Sequence, residues 1–443
     1  MQEKILELLE QKKYHGISEL LKEQTAPDVA ALLDEIPDIY LSTVYRLLPK
    51  ELAAEVFVEM DGDQQEMLIH RFTDTELRET LDELYLDDTV DIIEEMPATV
   101  VKRILRNTDP QTRVMINQIL KYPKDSAGSL MTIEYVNLKK DMTVEDAFTR
   151  IRRTGVDKET IYTCYVTDAN RCLEGIITVR TLLLANGSDL IGDIMEDHPI
   201  SVATSADRED VVKMFDKYDF LALPVVDHEE RLVGIITVDD AMDVMQEEAD
   251  EDFAKMAAVV PSDESYFKTS VFGHAKNRII WLMILMLTGI LTGAIITGYE
   301  EAFQAYPMLV AFIPMLMGTG GNAGAQASTL TIRGMATDEI QLKDYFRIAF
   351  KEARVALIVG AGLSIVNFVR VYITYQDWLF GIVTGLSLIG TVFFAKLLGC
   401  SMPMLAKKLK LDPAIMASPL ITTLVDAGSI LLYFSIATAM IKL

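Results

Sequence analysis

Asp426 lies in SPLITTLVDAGSILLYF and reads as the only acid well inside any of the chain's long apolar runs. A carboxylate at mid-helix in lipid costs about 3 kcal/mol even on lenient scales, so such a residue marks an ion path by default. The competing reading is a structural acid paired with a base, but the sequence pattern places no Lys or Arg at comparable depth. Asp412-Pro413 reads as an N-cap and first-turn proline. Ser418, Thr422, Asp426 and Ser429 then fall at i, i+4, i+8 and i+11, one hydroxyl-and-carboxylate stripe on an apolar helix. These are hard oxygen ligands, suited to Mg²⁺ or Ca²⁺ rather than soft metals. Mg²⁺ sheds water reluctantly, so such a path would contact it through its water shell. A second apolar run holds PMLMGTGGNAGAQASTLTIRG. Its glycines suit either close helix approach or carbonyls that line a pore.

These residues need spans to carry them. Five apolar runs occur at about 278–298, 305–332, 347–370, 378–402 and 414–441. Each supplies the roughly 20 residues that cross a bilayer core. Lys276 and Arg278 precede the first run, and the loop GYEEAFQAYP has no base. Arg333, Lys343, Arg347 and Lys351 follow the second run. Only Arg370 follows the third, then Lys407, Lys408 and Lys410 follow the fourth. This alternation predicts a cytoplasmic N-terminus and an outside C-terminus.

Residues 1–270 carry a net charge of −29 and residues 271–443 a net of +4. An acidic part of that size repels nucleic acid and attracts cations. The three cysteines show no metal-ligand spacing and read as reduced. Residues 1–124 are helical by pattern, and a unit ending in [DE]-E-[IM]-P recurs near Asp28 and Asp88, which suggests a short superhelical array. Residues 125–245 contain a duplication. CYVTDANRCLEGIITV matches LPVVDHEERLVGIITV, each after an amphipathic segment (144–152 and 208–218), so short strands alternate with helices in a repeated α/β unit. Residues 246–270 belong to an acidic connecting segment, helical to about Pro261, and 271–443 carry the spans.

GTGGNAGAQASTL, DPAIMASPLITTLVDAG and YPKDSAGSLMT, in that domain order, resemble the MgtE family of magnesium transporters. The duplicated unit is similar to a tandem pair of cystathionine-β-synthase (CBS) modules. The resemblance implies a multidomain membrane protein: an all-α superhelical N-terminal domain, an α/β tandem CBS domain pair, a connecting (plug) helix and a five-helix transmembrane domain. It implies a homodimer in the plasma membrane with one Mg²⁺ pore. Asp426 would bind the ion, with Gly318, Gly321, Thr329, Ser418 and Thr422 lining the path.

The resemblance also gives the acids a task. Asp87, Asp88, Asp91, Glu94 and Glu95 stand on the helical domain. Asp239, Asp240, Asp243, Glu247, Glu248, Asp250, Glu251 and Asp252 stand at the connector. Face to face, such surfaces repel, and bound Mg²⁺ would draw them into a compact state. The resemblance implies that this state closes the pore. Thr237 and Asp240 match the CBS pattern that holds a nucleotide ribose, here ATP as a regulatory ligand. Without a Walker motif, hydrolysis and pumping are not expected. No catalytic constellation appears in the spans. Two rival readings stand: a transporter of Co²⁺, Mn²⁺ or Ca²⁺, and a membrane-anchored CBS sensor that moves nothing.

Overall fold

The computed structural model describes residues 1–262, 266–416 and 418–441, with the side chains of Asp157, Phe303 and Ser418 outside the description. The chain divides into two compact units, 1–245 and 246–443.

The first unit begins with short helices between Gln2 and Ile119, each 8–10 residues long. The recurring Glu-[Ile/Met]-Pro sets their length. Helices Ala26–Asp34 and Leu86–Glu95 stop just before Pro37 and Pro97, and those prolines cap the next helices. Proline lacks an N–H and fixes φ, so it suits a helix start and not an interior. Val29, Leu33 and Ile36 of the first copy are buried, as are Val90, Ile93 and Met96 of the second. Each helix is too short to be stable alone, and the shared core supplies what propensity does not.

The duplication folds as two similar sheets. In the first, β1 (Tyr135–Leu138) runs parallel to β2 (Thr160–Thr167), which pairs antiparallel with β3 (Leu173–Thr178) and then β4 (Glu196–Asp197). In the second, β5 (Val202–Ala203) runs parallel to β6 (Ala222–Val226), which pairs antiparallel with β7 (Leu232–Thr237). The two copies are interlocked. The segment that opens one copy packs on the last strand of the other: Thr132 bridges Ile235, and Glu196 pairs with Ile176. The glycine of each GIITV is where this crossing occurs. A Cβ on Gly234 would lie 2.7 Å from the Thr132 oxygen, and one on Gly175 would lie 2.8 Å from the Glu196 oxygen. Only glycine admits backbone that close.

The connecting helix runs Val238–Met256. It therefore begins directly after β7 and ends earlier than the expected Pro261. Ala258 takes a left-handed φ of 55°, and backbone N–H groups of Ala257 to Val259 fold back on the last turn. That C-terminal turn stops the helix before proline is reached.

In the second unit, five helical segments among the described residues are long and apolar enough to cross a membrane: Val271–Gly298, Pro307–Ala336, Leu342–Tyr375, Trp378–Lys408 and Pro413–Ile441. The second, fourth and fifth spans pack on one another, the third packs along the fourth, and the first touches mainly the fifth.

Candidate functional site

The fifth span opens as a 3₁₀ turn, Pro413–Met416, whose Ala414 N–H is accepted by the Asp412 carboxylate at 2.8 Å. Its helix runs Ser418–Ile441. Asp426 is half-buried, and its Oδ1 is enclosed without a hydrogen-bond partner. The Ser429 hydroxyl, one turn on, is buried and equally without one. Thr422 stands one turn before Asp426. The predicted Ser418 begins the helix, but its side chain lies outside the described residues.

The second span divides its small residues between two faces. Gly320, Gly321 and Gly324 are buried against the fifth span. A Cβ on them would meet Ser429 Oγ at 2.9 Å, Thr422 Cγ2 at 2.8 Å and Ile421 Cγ2 at 2.8 Å. These glycines bring the two backbones together, as small residues do in membrane packing. Gly321 therefore seats Thr422. Gly318, Asn322, Gln326 and Thr329 form the other face, at i, i+4, i+8 and i+11, and all four are exposed. A Cβ on Gly318 would meet nothing within 4 Å. An uncharged polar stripe on a span is costly against lipid, because hydrocarbon offers no hydrogen bonds.

One expectation is corrected. Asp426 is not the only acid within the spans, and a base does lie within them. Glu352 of the third span meets Lys396 of the fourth at 3.3 Å, with side chains 15% and 5% exposed. Both fall within the apolar runs. A lone charge in a long run is easily credited to a neighbouring loop, whereas the fold turns both inward. Asp426 shares no ion pair with them.

In the first unit, the Leu86–Glu95 helix faces the start of the connecting helix. Asp87 is buried, and its Oδ1 has no partner. Burial pushes its carboxyl well above the usual range, reinforced by the charges of Asp240, Asp88 and Glu159. Burial raises Asp88 to about 6, helped by Asp240 and Asp239. Asp240 also rises to about 6, through burial and the charges of Asp239 and Asp243, although the Thr237 hydroxyl donates to it at 2.5 Å. Glu159 rises to about 8, for the same reasons, with Asp88, Asp240, Asp239 and Glu134 around it. Glu159 and Glu134 were not expected. They stand on neighbouring strand starts, where the Glu159 N–H donates to the Glu134 carbonyl at 3.0 Å. Two acids at the heads of parallel strands were the missed signal.

The remaining predicted acids are less concentrated. Glu94 pairs with Lys124 at 3.4 Å. Asp91, Glu95, Asp239, Asp243, Glu247 and Asp250 are exposed, while Glu248 and Asp252 are half-buried. Glu251 meets Lys255 at 2.7 Å, and the same ammonium reaches Asp412 at 2.7 Å. Partial burial opposes the charge on Lys255, but the hydrogen bonds it donates to the two carboxylates outweigh this and raise its pKa. Among the described residues, no group of three or more His, Cys, Asp or Glu side chains is arranged to hold a metal ion. The Thr178 and Thr181 hydroxyls, 2.9 Å apart, occupy the first repeat's equivalent of the Thr237–Asp240 pair.

Comparison with known proteins bears on the whole chain. Residues 313–436 match a divalent cation transporter family, MgtE. Residues 24–125 match the MgtE intracellular N domain, and residues 127–187 and 191–247 match the CBS domain. The magnesium transporter MgtE of Thermus thermophilus is 38% identical over 98% of this chain and 97% of its own length. The Bacillus subtilis magnesium transporter MgtE is 32% identical over 99% and 97%. A crystal structure of the cytosolic domain of the Mg²⁺ channel MgtE in complex with ATP covers 55% of this chain and all of its own, with 38% identity and a TM-score of 0.53.

Proposed function

We propose, from the premise that this chain belongs to the MgtE family of magnesium transporters, that Mg²⁺ crosses through a pore shared by two copies of the chain. The family is one of transporters, not enzymes. The observation that carries the pore is the juxtaposition on the second and fifth spans. Asp426, with an oxygen that has no partner, is carried by the span packed against the second span, whose other face is an exposed polar stripe, Gly318, Asn322, Gln326 and Thr329. Lipid cannot satisfy such a stripe, and a second copy enclosing water can. Asp426 with Thr422 and Ser418 then contacts the hydrated ion, and Gly321 positions Thr422. The Asp426 carboxylate of each copy holds Mg²⁺ by charge, without replacing its water.

The gate in this reading is the acidic cluster of the first unit. Asp87, Asp88, Glu159, Asp239 and Asp240 repel one another when ionised, and the orphaned Asp87 oxygen suits a cation. Mg²⁺ entering as a hydrated ion favours the closed-up arrangement, because it binds that arrangement better than the parted one. The connecting helix transmits the change. Its other acids, Asp243, Glu247, Glu248, Asp250, Glu251 and Asp252, with Asp91, Glu94 and Glu95, add to the field. ATP at Thr237 and Asp240 would act as a regulatory ligand on the same element. The N-terminus lies in the cytoplasm and the C-terminus outside, by the alternation of bases between loops.

The test is Mg²⁺ uptake into proteoliposomes carrying wild type or Asp426→Ala, with internal Mg²⁺ low and then high. Uptake is expected to need Asp426 and to fall as internal Mg²⁺ rises. Unchanged uptake by the variant removes Asp426 from the path. Uptake indifferent to internal Mg²⁺ removes the gate. Equal uptake of Co²⁺ or Mn²⁺ in competition would make the path a general divalent one.

A further inference from the structure

The third span begins with a face that neither the pore nor the gate uses. Lys343, Phe346, Arg347, Phe350, Lys351 and Arg354 recur at three- and four-residue steps and are all exposed. At 100° per residue they occupy one arc of the helix. Phe346 is 82% exposed and Phe350 65%. The Arg354 guanidinium lies over the Phe350 ring at 4.9 Å. No ion pair joins any of the four bases to an acid among the described residues. The nearby acids are engaged or displaced from the face: Asp344 accepts the Gln341 N–H at 3.1 Å, Glu352 turns inward to Lys396, and Asp338 and Glu339 stand in the preceding loop.

Further along the helix the same arc becomes largely apolar. Leu357, Ile358, Ile365 and Val369 lie on it, all exposed. The face is therefore continuous with the surface that meets hydrocarbon. Four cations and two aromatic rings stand where that surface reaches the headgroups. Aromatic rings favour that depth, and bases there attract anionic lipid.

We propose that this face binds an anionic phospholipid. The phosphate sits among Arg347, Lys351 and Arg354, with Lys343 at its edge. The acyl chains lie along Phe346, Phe350, Leu357 and Ile358. Guanidinium forks suit phosphate oxygens, and the rings cover the glycerol region. The bound lipid would brace the outer side of the third span, whose inner side carries the Glu352–Lys396 pair. The inference uses no pore residue and fails or stands apart from the transport reading.

The probe is phosphatidylglycerol against phosphatidylcholine, added to the purified full-length chain in detergent and read by native mass spectrometry. Wild type is expected to retain phosphatidylglycerol preferentially. Replacing Lys343, Arg347, Lys351 and Arg354 together with Gln should lower that preference about a hundredfold or more, given the pull of each base on anionic lipid. Replacing Lys407, Lys408 and Lys410 with Gln should leave it intact. The Phe346→Ala/Phe350→Ala variant should weaken retention of both lipids. If the fourfold variant does not fold, Arg347→Gln/Arg354→Gln gives the same reading with a smaller drop. A preference unchanged by the third-span substitutions overturns the proposal. So does an equal loss from the Lys407–Lys410 variant, which would mean diffuse charge only. Loss of dimer mass in the fourfold variant with unchanged lipid preference also overturns it, and would assign the face to a second copy.

Discussion

In the membrane unit, enclosed carboxylates come one at a time. Asp426 has an oxygen with no partner, and Glu352 has a single base, Lys396. In the N-terminal unit they come crowded. Burial raises the pKa values of Asp87, Asp88, Glu159 and Asp240, and the charges of neighbouring carboxylates raise them further. In the proposed reading, the difference separates two uses of the same chemical group. One carboxylate on an ion path attracts a cation and lets it leave. Several converging carboxylates stay strained until a cation comes, so occupancy alters which arrangement is favoured. The Glu352–Lys396 pair belongs to neither use, because its charge is already answered.

The largest expected effect tests that last distinction. Lys396→Met leaves Glu352 enclosed without a base, which should destabilise the membrane unit by about 3–5 kcal/mol. The double variant Glu352→Gln/Lys396→Met should recover most of this, since removing both charges removes the orphan. Asp426→Asn should barely change the melting temperature in detergent while stopping uptake. If Lys396→Met melts like wild type but loses transport, the pair is part of the ion path, and the comparison breaks.

Next in size is the crowded site. Asp88→Asn removes one repelling charge and should stabilise the Mg²⁺-free N-terminal unit by roughly 2 kcal/mol at pH 8, following the cost of each unit of pKa shift. The stabilisation added by Mg²⁺ should shrink in step. The pH dependence has a definite sign. Asp88 and Asp240 at about 6 and Glu159 at about 8 lie above their unfolded values near 4. Their contribution to stability is therefore fully present below about pH 4 and is lost as pH rises through 6 to 8. Mg²⁺ should bring little stabilisation at pH 5 and much at pH 8. Between those values its binding should release protons, measurable in weakly buffered solution. Binding without proton release would place the ion away from this cluster.

How much of this the sequence discloses depends on range. The repeat units, the duplicated strands and the five spans follow from local period and composition, and Glu-[Ile/Met]-Pro carries its own helix boundary. The interlock of the two α/β copies is not local. GIITV shows a glycine, but only the fold shows that Thr132 or Glu196 crosses it. Glu159 and Glu134 carry no local signal, because each is a single acid before a strand, with no run around it. Lys396 shows no partner locally, because Glu352 is 44 residues away. The second span discloses its glycines but not their division into packing and exposed faces. That division depends on where the fifth span lies.

The smallest expected effect concerns the link from one use to the other within the second unit. Lys255 ends the connecting helix and holds Asp412, just ahead of the 3₁₀ turn that opens the fifth span. Its other carboxylate, Glu251, is one turn back on its own helix. A single ammonium thus stands between two carboxylates, where a divalent ion would otherwise be favoured. Lys255→Met removes a half-exposed pair and should weaken the hold by about 1 kcal/mol. The fifth span would then follow the connecting helix less tightly, and the internal Mg²⁺ needed to halve uptake should rise about fivefold. Lys255→Arg should restore it, since a guanidinium can bridge the same two acids. If Lys255→Met instead lowers the required Mg²⁺, the ammonium is competing with the ion at Glu251 and Asp412. The crowded-carboxylate logic then extends to the start of the fifth span itself.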